Sequence, residues 1–383
     1  MIPTNRRSRY IVARVALLFA TAAGGAAHSV RAQDVSKEIP AKLSDSAFWQ
    51  LVTEFSEPGG FFRSDNFVSN ETMYQWVIPT LLRTTKPGGV YLGVGPDQNF
   101  TYIVALKPKI SFIFDIRRQN MLTHLMYKAL FEQSADRADF LSRLFSRPRP
   151  PKLDTASTAN ALFDAYSVVP PDSTLFLKNI NSIKDRLTKT HGFKLSEDDL
   201  STISYVYQAF VSAGPDLTYN FGPRGVGFGR GRMPSYADLQ VEADSARTQR
   251  SYLANEANFR ALKEIEVNNL IVPLVGDFAG ARAIRSVASY LKERKATVTA
   301  FYLSNVEQYL FNQGDDWSKF YTNASQLPLD TSSTFIRSVF NGMGTYGGFM
   351  RGEQMLASIL AQTKAFKEGK LQSYWEVINS SHP

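Results

Sequence analysis

Residues 89–115 constrain the fold more than any other part of the chain. The segment opens Gly-Val-Tyr-Leu-Gly-Val-Gly-Pro-Asp-Gln-Asn and closes Ile-Ser-Phe-Ile-Phe-Asp. Val90 to Leu92 is a short apolar run of the kind a buried strand needs. Gly93 and Gly95 then mark a tight turn, residues 98–106 have helical spacing, and residues 110–114 form a second apolar run. That run ends in Asp115, 20 positions after Gly95. Two buried strands joined through a glycine turn and a helix make a parallel βαβ unit. A further helix over 117–133 carries Met121, Leu122, Leu125, Met126, Ala129 and Leu130 on its apolar side.

The rest of the chain repeats this rhythm at a distance. Residues 44–57 place Phe48, Leu51, Val52 and Phe55 at helical spacing before Pro58-Gly59-Gly60 stops the pattern. A second helix is predicted over 71–83, capped by Ser69 or Asn70, with Pro79 as a possible kink. Residues 134–213 are helical in period with no convincing strand and read as an insertion. The segment 221–232 holds five glycines and three arginines and reads as a mobile loop. After a helix ending near Glu266, an apolar strand over 269–275 leads to Gly276-Asp277, and a helix is predicted over 279–294. A fourth strand over 297–303 closes on Ser304-Asn305, ahead of an aromatic helix containing Tyr309, Phe311, Trp317, Phe320 and Tyr321. The expected architecture is α/β: a doubly wound Rossmann-like sheet over 89–383 with a helical insertion, preceded by an N-terminal helical segment over 33–88.

Residues 1–32 predict a different fate for the N-terminus. Arg6, Arg7, Arg9 and Arg14 precede an apolar stretch over 15–27, and Val30-Arg31-Ala32 supplies a small-residue cleavage site, the pattern of a signal peptide. The apolar stretch is shorter than the roughly 20 residues that span a bilayer, so no stable membrane anchor is expected after cleavage. The mature chain is expected to be periplasmic or secreted, with the Arg6-Arg7 pair leaving the export route open. Without residues 1–32 the chain has 38 basic and 35 acidic residues, a net charge of +3 against +8 for the whole. That near-neutral balance argues against a nucleic-acid partner. Cysteine is absent, which excludes a lipid-anchored cysteine, disulfides and thiol chemistry.

The chemistry is narrowed mainly by elimination. There is no G-x-S-x-G, no H-E-x-x-H and no Walker pattern, and beyond residue 32 histidine occurs only at 124, 191 and 382, so no metal centre is expected. The glycine turn points instead to a ligand cleft. Gly93 permits the turn, Gly95 allows close approach of backbone to ligand, and Asp115 can accept hydrogen bonds from ribose hydroxyls. The third glycine of the dinucleotide pattern is replaced by Gln98, and no acid precedes Gly93. Asp277 and Asn305, each following a strand, can face a second substrate or cap the next helix, and Asp277 is the candidate base. Asn66, Asn70 and Glu71 belong to a polar segment able to fold over the cleft. Arg224, Arg230 and Arg232 can close on an anion or remain solvated.

Residues 89–99, Phe114-Asp-Ile-Arg-Arg-Gln-Asn120 and Ser64-Asp-Asn-Phe-Val-Ser-Asn-Glu71 resemble an uncharacterised exported bacterial protein family whose fold is similar to S-adenosylmethionine-dependent methyltransferases. The resemblance implies a class I methyltransferase-like sheet. It also implies S-adenosyl-L-methionine or a related nucleoside held by Gly93, Gly95, Asn99 and Asp115. A non-catalytic binding or scaffold protein that retains the fold is the alternative, and the oligomeric state is left open.

Expressed in a bacterium with an intact secretion pathway, the chain is expected in the periplasmic fraction with Gln33 as its first residue by N-terminal sequencing. Recovery of uncleaved chain from the membrane would contradict the leader.

Overall fold

The computed structural model describes residues 38–220, 233–340, 345–346, 349–350 and 352–382. The leader expected at 1–32 and the Gly/Arg segment expected at 221–232 lie outside the described residues.

The strands are β1 (Val90–Val94), β2 (Ile110–Asp115), β3 (Ile271–Val275), β4 (Val298–Ser304), β5 (Leu329–Val339), β6 (Thr345–Tyr346), β7 (Phe349–Met350) and β8 (Glu353–Ser358). Six of them form one sheet in the order β3-β2-β1-β4-β5-β8, while β6 and β7 pair separately. Every neighbour in the large sheet is parallel except β8, which runs antiparallel to β5. The register sets Val90 beside Ile110 and Val94 beside Phe114, so the turn after β1 and the acid ending β2 leave the sheet side by side. Strands covered by helices on both faces must bury both sides. β1 to β4 accordingly read as apolar runs, buried at every position but the last of β4. Pro273 sits within β3 without breaking the ladder because β3 is an edge strand, where a missing N–H can face outward.

Helices cover the sheet. The helix Gln98–Leu106 connects β1 to β2. The helix Arg118–Gln133 follows β2 and is buried without interruption from Asn120 to Phe131, lying between β2, β3 and the insertion helix Glu197–Ala213. It lies in the interior although it carries Thr123, His124 and Lys128, because these bond within the fold, to the Gln119 carbonyl, the Gly95 carbonyl and the Glu132 carboxylate. The region expected as an insertion holds the helices Arg137–Phe145, Ala159–Ser167, Ser173–Asp185 and Glu197–Ala213 and no strand. Its entry is held by the buried Arg137, whose guanidinium donates to the carbonyls of Leu253, Ala254, Thr155 and Ser157. No helix among the described residues is long and apolar enough to cross a membrane.

Three expectations are revised. The second N-terminal helix is only Ile78–Thr84, beginning where Pro79 falls in the first turn and its absent N–H costs nothing. The aromatic helix is two short ones, Val306–Leu310 and Asp316–Ala324. The strands β5 and β8 extend the sheet beyond the elements the sequence suggested.

The N-terminal segment is part of the same structure. Glu57 N–H donates to the Val275 carbonyl (2.8 Å) and Val275 N–H to Ser56 Oγ (3.0 Å), which closes the end of the β3 edge. The Glu57 carboxylate then accepts from the amides of Asp277 (3.2 Å), Arg282 (2.5 Å) and Ala283 (2.9 Å), so it caps the helix Ala283–Glu293 from more than 200 residues away. A Cβ at Gly280 would overlap that carboxylate and displace it. Glu57→Ala is expected to lower the unfolding free energy by about 1–2 kcal/mol through these unpaired amides, read from the urea midpoint. An unchanged midpoint would contradict the cap.

Candidate functional site

The sheet order reverses direction between β1 and β4, and in open α/β sheets the crevice at such a switch point is where ligands bind. A cavity of about 160 Å³, opening into a wider mouth, lies there. Four strand ends form its floor and walls: Gly95 and Gln98 after β1, Asp115 and Arg117 at β2, Asp277 and Phe278 after β3, and Ser304 and Asn305 at β4. The segment 62–71 supplies Phe62, Asn66, Asn70 and Glu71, and Tyr219 and Tyr309 complete the rim. Seven of the residues singled out from sequence therefore meet at one cavity: Gly95, Asp115, Asp277, Asn305 and the polar trio Asn66, Asn70 and Glu71.

Gly93 and Asn99 do not line it. Asn99 is fully buried beneath the turn, where its Nδ2 donates to the carbonyls of Val94 (2.9 Å), Gly95 (3.2 Å) and Pro96 (2.7 Å), and its Oδ1 accepts from Tyr91 (2.8 Å). A Cβ on Gly93 would overlap Asn99 Oδ1 and the Tyr91 ring, so this glycine makes room for the brace rather than for a ligand. Gly95 adopts φ +81°, donates its N–H to Phe114 O (3.2 Å) and has its carbonyl held by His124 Nε2 (2.9 Å). Burial pushes the His124 pKa down to about 4, which keeps the ring neutral and leaves Nε2 as the donor.

Asp115 is already engaged. Arg117 meets it bidentately, Nε to Oδ1 at 2.9 Å and Nη2 to Oδ2 at 2.6 Å, and the Arg117 amide adds a third bond to Oδ1. Arg117 Nη1 also donates to the carbonyls of Ser64 (2.9 Å) and Asp65 (2.6 Å), tying the segment above the cavity to the end of β2. A carboxylate offers about four acceptor positions, so Asp115 has one left on Oδ2 for a guest.

Glu71 carries the other notable carboxyl. It is buried and accepts from the hydroxyls of Tyr302, Ser304 and Ser338. Burial pushes its pKa up, against the pull of those hydroxyls. Ser304 reaches it from φ +53°, a conformation that L residues other than Asn and Asp seldom adopt, so the end of β4 is held in a costly shape at the cavity. Asp277 is exposed at the mouth, and partial desolvation of its carboxyl pushes its pKa up, with the Ala279 amide (2.9 Å) opposing the shift. Asp277 thus closes a local turn while Glu57 caps the helix beyond it. Asn305 precedes the helix Val306–Leu310 without a capping hydrogen bond. Among the described residues no cluster of three or more His, Asp or Glu side chains could hold a metal ion.

Sequence reasoning did not find Arg117, Gln98 or Phe62 as cavity residues. Arg117 stands two positions after Asp115, the one local signal that the acid is partnered within the chain.

The fold and site define an α/β protein with a six-stranded, mostly parallel sheet compatible with a Rossmann-like fold and a crevice at its switch point. The sequence pattern of the family described as "Domain of unknown function (DUF7790)" matches residues 66–153 and 202–373, more than half of the chain, and the protein belongs to that family. The break between the two matched parts takes in the insertion helices Ala159–Ser167 and Ser173–Asp185. No curated protein matches the chain.

Beside the cavity, Asp97 Oδ2 accepts from Gln240 (2.8 Å) and Tyr252 (2.9 Å), while its Oδ1 is buried without a partner. Burial pushes its pKa up to about 7. The folded state therefore holds a proton that the unfolded chain has lost, and the stability this gives is full below about pH 4 and disappears as pH rises to about 7. Asp97→Asn removes that dependence. Its unfolding free energy relative to wild type is expected to rise by up to ~1.4 kcal/mol per pH unit across that window and to level above it. His124 acts in the opposite sense as pH falls from about 6.5 to 4, but it is common to both proteins. Parallel stability curves would contradict the assignment.

Proposed function

We propose that the crevice binds an adenosyl-type small molecule, with S-adenosyl-L-methionine as the first candidate, and that the chain is an exported methyltransferase-like protein. The observation that carries the reading is the convergence of Gly95, Asp115, Asp277 and Asn305 on one cavity at the switch point. The order β3-β2-β1-β4-β5 is that of a nucleotide-binding sheet, and the antiparallel β8 favours the methyltransferase-like variant over one with six parallel strands. Aromatic side chains at Phe62, Phe278, Tyr219 and Tyr309 suit a base and the apolar parts of such a ligand. Methyl transfer needs chiefly alignment of acceptor and sulfonium carbon, and Asp277 and Glu71 are the carboxyls available as bases. The leader pattern expected at 1–32 is what supports a periplasmic or secreted site of action.

The Asp115–Arg117 pair favours a second reading, a binding protein that retains the fold but has turned the crevice to a ligand not held by its ribose. An acid with both oxygens held by a guanidinium cannot clamp a ribose diol bidentately while that pair lasts.

Calorimetric titration with S-adenosylmethionine and S-adenosylhomocysteine separates the readings. Saturable binding of both, weakened at least roughly tenfold by Asn305→Leu, together with methylated product from a crude periplasmic extract, supports the first. Binding without product supports the second. No heat at millimolar ligand removes the adenosyl assignment.

A further inference from the structure

Among the described residues, the cavity lining is poor in groups that recognise anions. The one guanidinium among them, Arg117, is spent on Asp115 and on the carbonyls of Ser64 and Asp65. Two positions of the turn that would cradle a phosphate are lost to it. Gly95 N–H is bonded to Phe114 O, and residue 96 is proline with no N–H. The helix start after β3 is already filled by the Glu57 carboxylate.

Acceptors, by contrast, are in surplus. Gln98 is 5% exposed, and its Nε2 donates to the Tyr302 hydroxyl (3.3 Å), which donates in turn to Glu71. That chain fixes the amide orientation, and Gln98 Oε1 is left buried with no partner. Asn66 Oδ1 is a second buried acceptor without a donor. Three carboxyls, Glu71, Asp115 and Asp277, face the same space. Buried acceptors left unpaired are costly, so a ligand that brings donors recovers free energy that a phosphate cannot.

We infer that the crevice selects ligands whose recognised pole is a hydrogen-bond-donating organic cation, an ammonium above all, and rejects phosphorylated nucleotides. The inference deepens the adenosyl reading by naming the charge of the ligand, and its placement of the cation rests on Gln98, Glu71 and Asp277. The sulfonium and the ammonium of S-adenosylmethionine satisfy the rule, with its carboxylate left to solvent at the open mouth. ATP and dinucleotides do not.

Three nucleosides that differ only at the 5′ position isolate the charge: 5′-amino-5′-deoxyadenosine, adenosine and adenosine 5′-monophosphate. Titrated into the purified protein, they are expected to bind in that order, with at least roughly tenfold between first and last. Glu71→Gln is expected to narrow the gap between the amine and adenosine. Asp277→Asn serves the same purpose if the first variant does not fold. Tighter binding of the monophosphate than of adenosine, or an unchanged gap in the folded variants, overturns the inference. If no nucleoside binds but spermidine raises the melting temperature, the adenosyl reading falls and the cation rule stands. If spermidine and all three nucleosides leave the protein unaffected, the rule falls as well.

Discussion

The bracing of the turn between β1 and the helix Gln98–Leu106 is the constraint on which the rest depends. Asn99 collects three successive carbonyls, His124 holds the Gly95 carbonyl from the neighbouring helix, and Gly95 N–H reaches across to β2. These bonds fix the ends of β1 and β2 relative to each other and set the cavity floor. The brace leaves no space for a side chain at 93 and demands a left-handed residue at 95, so both glycines are explained by one local arrangement. Only Gly95 also faces the cavity.

A second layer of order comes from segments far apart in sequence. Arg117 ties the end of β2 to the backbone at 64–65, and Glu57 ties the start of the helix Ala283–Glu293 to the end of the first helix, Asp45–Phe55. Arg337 and Glu307 form a fully buried pair under the far end of the sheet, shared with Tyr321, Ser381 and Gln362. Pairs of this kind are costly to break once buried, because removing one partner strands the other away from water. They hold the cavity's walls at fixed positions, which a selective site needs.

The βαβ unit and the strands β3 and β4 were legible because parallel strands buried on both faces leave unbroken apolar runs. β5 was not, since Thr331-Ser-Ser-Thr334 hides its buried positions behind serine hydroxyls that bond within the fold, as Ser333 does to the Val298 carbonyl. β8 is an edge partner whose burial alternates over only its first four residues, too short a pattern to stand out. Asp115, Asp277 and Asn305 could be named from their places at strand ends, and Asn66, Asn70 and Glu71 from the polar segment ahead of β1. Their partners could not, because the occupation of Asp115 by Arg117 and of Glu71 by Tyr302, Ser304 and Ser338 depends on tertiary contacts. Gly93 and Asn99 sit in the motif for a structural reason that spacing alone cannot distinguish from a binding one.

The central claim is that the switch-point crevice holds an adenosyl-bearing guest against the end of β2 and the turn at Gly95. A crystal structure grown with saturating S-adenosylhomocysteine tests it most directly. The account predicts ordered density for the ligand between Gly95, Asp115 and Asn305, with its ammonium toward Gln98 and Glu71. An empty crevice, or the ligand bound at another surface, would contradict it.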